Sequence, residues 1–455
     1  MHSSETKDAD PVMLHETNSS PPKDPSAPSL DLVATTEIAA DDPADLPRPT
    51  NFFRQVQWTA DGTTLVASTS DNRLSAYVLP PDLLSPTGRP RLLTPHGQLQ
   101  LPEPFYSAAL SPYFSLSEPQ TQLALLACKD HPLQLYHVFP ESRSSPPLCS
   151  YKLIRRETEE YICPESLLWS WPGTHFLAGS TNRLDHFDVS RTGSDGPVLT
   201  IPTIPSKRHL LKGGGVGMKG MVSTLSSQRP DESGASIVAA GTWSRWIGLY
   251  DVTRTNKPVA NWSIHGVTKA HFGRDFGGNG IVQTIWSPCG RYLAINERHA
   301  SGILVYDVRG TGQPLNLLVG RTATTQQKLT CDVFPGSGDH GGFELWAGTE
   351  QGNVLVYEDV GAVDGVLDKS WDWAAHTSPV GSAAVHPTGS VVATCSGAWT
   401  SYADRELDSE VGSTDDNGEP RLASTCITLD SALKVWTLAS NTAESVAQDN
   451  PEAVQ

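Results

Sequence analysis

The stretch NFFRQVQWTADGTTLVASTSDNRLSAYVL, residues 51–79, contains three short runs in which apolar and polar residues alternate. Turn-forming residues separate the runs: Asp61-Gly62 follows the first and Asp71-Asn72 follows the second. Alternation with a period of two is typical of β-strands, and Gly, Asn and Asp are residues that tight turns prefer. The stretch therefore predicts three antiparallel strands joined by two hairpin turns.

The same pattern recurs along the chain. Clear copies are GIVQTIWSPCGRYLAINERHASGILVYDVR and CPESLLWSWPGTHFLAGSTNRLDHFDV, and a fourth, less regular run follows each copy, such as RPRLLTP at 89–95 or LNLLVG at 315–320. Four short strands at a spacing of about 40–45 residues are typical of a WD-repeat propeller blade. Because one blade cannot cover both of its faces, such blades pack against each other around an axis. The seven copies occupy residues 51–79, 104–139, 163–189, 215–252, 280–309, 327–357 and 378–438. The prediction is an all-β, seven-bladed WD-repeat β-propeller.

We expect the propeller to extend over residues 29–440. SLDLVATTEIA at 29–39 also alternates, and we expect it to supply the outer strand of the last blade and so close the ring. Residues 1–28, 441–455 and an insert in blade seven at 398–426 are rich in Ser, Thr, Asp, Glu, Pro or Gly and poor in aromatic residues. Segments of this composition bury too little apolar surface to offset the entropy of ordering, which predicts acidic, disordered tails and a disordered insert.

The acidic residues are concentrated in these segments. The formal net charge is −17, of which residues 1–50 carry −7, residues 398–426 carry −5 and residues 440–455 carry −3. The predicted propeller is therefore nearly neutral, and the acidic composition does not exclude a polyanionic partner.

Several function classes lack their usual sequence signals. The chain has no run of 18 apolar residues and no apolar stretch in its polar N-terminus, so we expect neither a membrane span nor a signal peptide. Its seven cysteines show no CxxC spacing, which favours reduced thiols in the nucleus or cytosol. KGGGVGMKG at 212–220 lacks the flanking strand and helix of a nucleotide site and is interpreted as a loop. We expect no enzymatic activity, cofactor, metal or small-molecule substrate.

One polar set in the last blade has a structural interpretation. WD-repeat blades link a His before the first strand, an Asp in the second hairpin turn and a Trp on the third strand by buried hydrogen bonds. His376, Asp430 and Trp436 occupy these places in this chain. Such a network fixes a turn and needs no catalytic role.

Five segments together carry a resemblance to a known family. They are residues 51–83, AGSTNRL at 178–184, GTWSRWIGLYD at 241–251, GRTATTQQKLTCDV at 320–333 and HTSPVGSAAVHPTGSVVATCSGAW at 376–399. In this order, and with the acidic insert after the last one, the chain resembles the telomerase Cajal-body protein family. These are WD-repeat proteins that bind small nuclear guide RNAs and telomerase RNA. The chain is also similar to the family's fungal relatives linked to pre-mRNA splicing.

Basic residues lie where the second hairpin turns and the interblade loops of a propeller meet on one face. Arginine suits phosphate because its planar guanidinium donates two parallel hydrogen bonds, and tryptophan suits unstacked bases. The alternative is that each basic turn residue is merely solvated, and that Trp246 packs between blades while Trp243 is exposed. The candidate RNA-binding residues are Arg73, Arg183, Trp243, Arg245, Arg298, Arg321, Gln327 and Lys328.

The resemblance implies a non-catalytic nuclear scaffold. It would hold structured small RNA (guide, telomerase-type or spliceosomal) and its ribonucleoprotein proteins on the basic face. Its location would be the nucleus, Cajal bodies included, with some of it in the cytoplasm. The alternative is an adaptor in a splicing or other nuclear complex that contacts proteins only, because one fold serves many functions.

Overall fold

The computed structural model describes residues 30–37, 51–155, 157–206, 208–209, 217–336, 341–398 and 431–438. These residues form seven antiparallel four-stranded sheets, two of which gain a fifth strand, and the sheets follow one another as the blades of a propeller. The predicted fold class is confirmed. The predicted tails and all but the first residue of the predicted insert lie outside the described residues.

The strands are numbered in chain order, and the first of them, β1 (Leu30–Thr35), belongs to blade seven. Blade one contains β2 (Phe53–Trp58), β3 (Thr64–Thr69), β4 (Arg73–Val78) and, after β5 (Arg91–Leu92), β6 (Gly97–Gln100). Blade two contains β7 (Phe105–Leu110), β8 (Leu123–Cys128), β9 (Leu133–His137) and β10 (Cys149–Tyr151). Blade three contains β11 (Ser166–Trp169), β12 (His175–Ser180), β13 (Arg183–Asp188) and β14 (Leu199–Pro202). Blade four contains β15 (Val222–Ser227), β16 (Val238–Thr242), β17 (Trp246–Tyr250) and β18 (Pro258–Ser263), and a short helix α1 (Val267–Phe272) follows it. Blade five contains β19 (Ile281–Trp286), β20 (Tyr292–Glu297), β21 (Ile303–Asp307) and β22 (Asn316–Leu318). Blade six contains β23 (Cys331–Pro335), β24 (Phe343–Gly348), β25 (Asn353–Val360) and, after β26 (Gly365–Leu367), β27 (Trp371–Ala374). Blade seven contains β28 (Val380–Val385), β29 (Val391–Ser396) and β30 (Leu433–Leu438).

Blade seven joins the two ends of the described chain. β1 pairs antiparallel with β30, with Leu32 opposite Trp436, and so forms the fourth strand of this sheet. The backbone N–H of Thr36 also donates to the carbonyl of Leu433 over 3.0 Å. Since strands from both ends share one ladder, unpairing β1 exposes the edge of β30 and removes the hydrogen bonds that join the two ends.

Of the two segments predicted to form the fourth strand of a blade, one does so and the other does not. LNLLVG contains β22, the fourth strand of blade five, as predicted. RPRLLTP was wrongly assigned, because its strand β5 pairs in parallel with β1 of blade seven, and β6 is the fourth strand of blade one. Pro90 and Pro95 have no N–H to donate, so a long ladder cannot form between them. Gly97 instead lets the backbone approach, since a Cβ there would lie 2.5 Å from the carbonyl oxygen of Val138.

Apolar side chains fill the spaces between neighbouring blades. Between blades four and five, for example, Ile247 and Leu249 pack with Ile281, Leu293 and Ile295, all of them buried. Each such side chain contributes about 1.5–3 kcal/mol by leaving water. The interblade contacts therefore hold the first strands of the blades around a central channel.

The second hairpin turns share one backbone feature. A residue of the turn has a left-handed φ near +60° in each of blades one to five. Asn, Asp and His tolerate this conformation better than most side chains, so the arginine of blade four is the exception. The residues are Asn72, Asp130, Asn182, Arg245 and His299.

The predicted structural network of blade seven centres on a threonine. The Nε2 atom of His376 lies 2.8 Å from the hydroxyl of Thr394, and the indole N–H of Trp436 donates to the same hydroxyl over 2.9 Å. Asp430 lies outside the described residues. These bonds tie the segment before β28 to β29 and β30, which is a structural role.

Candidate nucleic-acid interface

The central channel widens into a cavity at the end where the first strands begin. All seven blades contribute lining residues to this cavity, whose volume is about 640 Å³. Arg54 and Tyr106 come from first strands, Trp243 and Arg298 from second hairpin turns, and Lys328 from the loop before blade six. We call this cavity the channel mouth.

Positive charge predominates in the channel mouth. Three cations, Arg54, Arg298 and Lys328, and one carboxylate, Glu165, are among its lining residues. The ammonium of Lys328 lies 3.4 Å from Glu165, and its side chain is one-third exposed. Burial lowers the pKa of Lys328, Glu165 opposes this shift, and repulsion from Arg54 and Arg298 adds to it. An anion bound beside these cations would relieve their mutual repulsion.

Trp243 lies against two of these cations. The guanidinium carbon of Arg298 is 4.3 Å from the centroid of the Trp243 ring, and the Lys328 ammonium is 5.4 Å from it. Such contacts are attractive because the ring face is electronegative. The ring is half-buried, and Gly280 allows the backbone to pass close to it, since a Cβ there would lie 2.8 Å from the ring. The aromatic residue expected to be exposed is thus fixed in place within the channel mouth.

Arg54 and Tyr106 are functional candidates that the sequence prediction missed. Within the described part of the chain, the guanidinium of Arg54 makes no hydrogen bond and no ion pair within 4 Å. Burial lowers the pKa of Arg54, and attraction from Glu165 and Tyr106 opposes that shift. Tyr106 is 40 % exposed. A half-buried arginine that faces a cavity without a partner is available to an anionic ligand.

Three of the predicted arginines have carboxylate partners. Arg73 pairs with Asp71 over 2.7 Å, and Arg183 pairs with Asp185 through two hydrogen bonds. Arg245 donates to both oxygens of Glu297 over 2.6 and 3.0 Å, and Nη2 also donates to the carbonyl of Gly277 over 3.2 Å. Their charges are neutralised locally, so they contribute little to the attraction of a polyanion.

The expectation of an RNA contact is wrong for Arg321, whose residue is only 1 % exposed. Its guanidinium donates to Asn296 over 2.6 Å and to the carbonyls of Gly348 and Leu329 over 2.9 and 3.0 Å. Burial lowers the pKa of Arg321. This arginine links blades five and six from inside the protein.

The remaining sequence candidates lie close to the channel mouth. Gln327 lines it and donates from Nε2 to the carbonyl of Gly397 over 2.8 Å. Trp246 packs against the apolar core between blades three and four, as the alternative interpretation held. The structure thus brings together Trp243, Arg298, Gln327 and Lys328, and it separates them from Arg73, Arg183, Arg245 and Arg321.

Among the described residues, no helix is both long and apolar enough to cross a membrane. The same residues contain no group of three or more His, Cys, Asp and Glu side chains placed to hold a metal ion.

Comparison with known proteins identifies relatives, although no family model matches the chain. Guanine nucleotide-binding protein negative regulator 1 of Schizosaccharomyces pombe is 27 % identical over 301 residues, which are 66 % of this chain and 69 % of that protein. Protein SWT21 of Zygosaccharomyces rouxii is 27 % identical over 321 residues, 70 % of this chain and 69 % of that protein. Human telomerase Cajal body protein 1 is 24 % identical over 411 residues, 89 % of this chain and 67 % of that protein. The resemblance inferred from the sequence is confirmed: the chain is a distant homologue of telomerase Cajal body protein 1 and of these fungal proteins.

Proposed function

We propose that this homologue of telomerase Cajal body protein 1 is a non-catalytic nuclear scaffold that binds structured small RNA and its ribonucleoprotein proteins. The observation that carries the proposal is the convergence of Arg54, Arg298 and Lys328 beside Trp243 in the channel mouth. Phosphate contacts from such cations supply much of the affinity of RNA-binding proteins. The names of the mammalian relatives support a nuclear, telomerase-associated setting.

The local field at the channel mouth favours an anion despite the acidic composition. Three cations face one carboxylate there, and the low-dielectric walls of a cleft concentrate the field of charges inside it. The guanidinium of Arg54 is already partly desolvated, so binding a phosphate removes little further water from it. Specificity for RNA over other anions would come from aromatic and amide side chains around these cations.

A protein-only adaptor is the second candidate, and one feature at the opposite end of the channel favours it. Trp171, in the first hairpin turn of blade three, is exposed, and so is Tyr113 in the corresponding turn of blade two. The two turns touch, because a Cβ on Gly173 would lie 2.1 Å from the Tyr113 ring. Exposed aromatic side chains are typical of protein interfaces.

Crosslinking in cells separates the two functions. The tagged full-length chain would be irradiated, purified under denaturing conditions and assayed for covalently bound RNA. We expect Arg54→Gln with Lys328→Gln to lower the recovered RNA at least about tenfold, since hydrogen bonds to charged groups contribute about 1.5–3 kcal/mol each and about 1.4 kcal/mol corresponds to a factor of ten. The matched control is Arg254→Gln with Lys257→Gln, in an exposed turn at the other end of the channel. Equal recovery from both double variants would overturn the proposed surface, and crosslinks to proteins alone would favour the adaptor.

A further inference from the structure

The channel mouth contains neutral hydrogen-bonding groups as well as cations. Gln55, Gln57 and Gln326 line it, and within the described residues their side-chain amides have no hydrogen-bond partner. Each amide offers two donors and two acceptor sites, the combination that pairs with the edge of a nucleobase. Cations alone would suit any phosphate, so the glutamines indicate a ligand with a polar, uncharged part.

The order of these groups along β2 gives the site a direction. Arg54 is near the start of the strand, where the channel opens, and Gln57 lies three residues further along it. At a rise of about 3.3 Å per residue, the Cα of Gln57 lies roughly 10 Å further along the strand, away from the opening, than the Cα of Arg54. A ligand that fits both would have its negative charge at the opening and its hydrogen-bonding edge inside.

We propose that the channel mouth binds one unstacked nucleotide of the RNA, with its phosphate at Arg54 and Lys328 and its base beside Gln55 and Gln57. This inference rests on the proposed function. Tyr106 offers an exposed ring on which the base stacks. Bases in loops and bulges are free to leave the stack in this way, whereas bases in a duplex are not.

The size of the cavity agrees with this ligand. A volume of about 640 Å³ falls in the range of about 300–1,000 Å³ that is usual for small-molecule sites. An acidic peptide is the competing ligand. It would use the cations equally well, and its backbone amides would pair with the glutamines, but it offers no flat ring to stack on Tyr106, which disfavours it.

The test compares RNA with and without bases. The probes are fluorescent 12-residue oligo(A), oligo(C) and oligo(U), together with a 12-residue abasic ribose-phosphate chain, titrated with the full-length chain. We expect the wild type to bind its preferred homopolymer about tenfold more tightly than the abasic chain. Gln55→Leu with Gln57→Leu should reduce this preference to about twofold and leave binding of the abasic chain unchanged. Arg54→Gln should weaken all four probes by a similar factor. The melting temperature of each variant shows that it is folded.

Further readouts distinguish the possible failures. Oligo(U) containing 4-thiouridine should crosslink to the peptide that holds Gln55 or to the one that holds Tyr106. If RNA binds but the leucine variant keeps the full base preference, the nucleotide pocket is refuted while the proposed function stands. If none of the probes binds, both are refuted. If an oligoglutamate peptide displaces RNA from wild type and binds the leucine variant equally well, the site is an acidic-peptide site and the inference is wrong.

Discussion

Removing the guanidinium of Arg245 should destabilise the propeller, although the same residue looked like an RNA contact in the sequence. Its side chain is 13 % exposed and that of its partner Glu297 is 6 % exposed, so water screens the pair poorly. The pair connects the second turn of blade four to β20 of blade five. It also reaches the loop between these blades through the carbonyl of Gly277. Arg245→Met keeps a side chain of similar length and the same backbone preference, and it removes all three hydrogen bonds.

The expected loss of stability is about 3–5 kcal/mol, because removing one partner of a buried ion pair leaves the other charge without compensation. For a domain of about 400 residues the entropy of unfolding is about 0.8 kcal/mol per degree, so the melting temperature should fall by roughly 4–6 °C. Arg245→Met with Glu297→Met removes both charges. This double variant should recover to within about 1 kcal/mol of wild type, since an apolar pair of similar volume often replaces a buried ion pair without loss.

The dependence on pH identifies the cause. Burial raises the pKa of Glu297, and the hydrogen bonds and charge of Arg245 oppose this shift. Without the arginine the pKa rises further above its unfolded value. A raised pKa means that the folded state holds the proton more tightly, so stability increases as the pH falls towards the unfolded pKa. The deficit of Arg245→Met should therefore be smaller at about pH 5 than at about pH 7.5.

The assay is unfolding in urea at the two pH values, monitored by tryptophan fluorescence. The proteins compared are wild type, Arg245→Met, Glu297→Met and the double variant. A deficit that is independent of pH would refute the assignment of the loss to the buried carboxylate. A double variant as unstable as Arg245→Met would show that the arginine acts through packing and not through Glu297. Weaker RNA binding by a fully stable Arg245→Met would restore the original interpretation of this residue.

Three further changes test other parts of the fold by the same unfolding measurement. Ala34→Asp should destabilise the propeller by more than about 3 kcal/mol, because it places an unpaired carboxylate at a fully buried position of the strand that closes the ring; the exposed Asp31→Ala should have no effect. Thr394→Val should cost about 1–3 kcal/mol, since the buried hydroxyl serves both the histidine and the tryptophan of blade seven. Burial raises the pKa of Asp332 to about 6, so wild type should lose up to about 2 kcal/mol relative to Asp332→Asn as the pH rises from about 4 to about 6; a constant difference would contradict this.

The alternation of residues and the spacing of the copies were enough to predict the fold. The chain repeats the signal of one blade seven times, so an error in one strand does not change the inferred architecture. The strand β5 was assigned to the wrong blade because its partner β1 is distant in the chain. Parallel pairing of two residues leaves no periodic signal in a sequence.

The candidate site was harder to predict because a charge in a turn does not reveal its partner. Arg73 and Arg183 each have an aspartate two residues away, Asp71 and Asp185, and this spacing was a visible warning of a local ion pair. The partner of Arg245 comes from the next blade, 52 positions along the chain, and no local pattern indicates it. The left-handed φ of Arg245 was equally invisible, yet it marks the residue as structurally constrained.

Arg54 was overlooked for the opposite reason. The prediction took charges from turns and loops, whereas this arginine lies on the first strand of blade one. A cation in a strand that lines a central channel is itself a signal, because half-buried charges are rare without a partner. That signal becomes usable only after the fold has been assigned and the first strands have been placed around the channel.

The size of the cationic cluster sets the expected dependence of RNA binding on salt. For single-stranded RNA the slope of log K against log salt is about −0.7 per neutralised phosphate. Three channel-mouth cations therefore predict a slope of about −2, and the six basic candidates spread over the whole face would have given about −4. Arg54→Gln should reduce the magnitude of the slope by about 0.7, whereas Arg73→Gln should leave it unchanged because Asp71 already neutralises that arginine. A slope of about −4 in wild type would mean that Arg73, Arg183 and Arg245 exchange their carboxylate partners for phosphate, which would contradict a binding surface confined to the channel mouth.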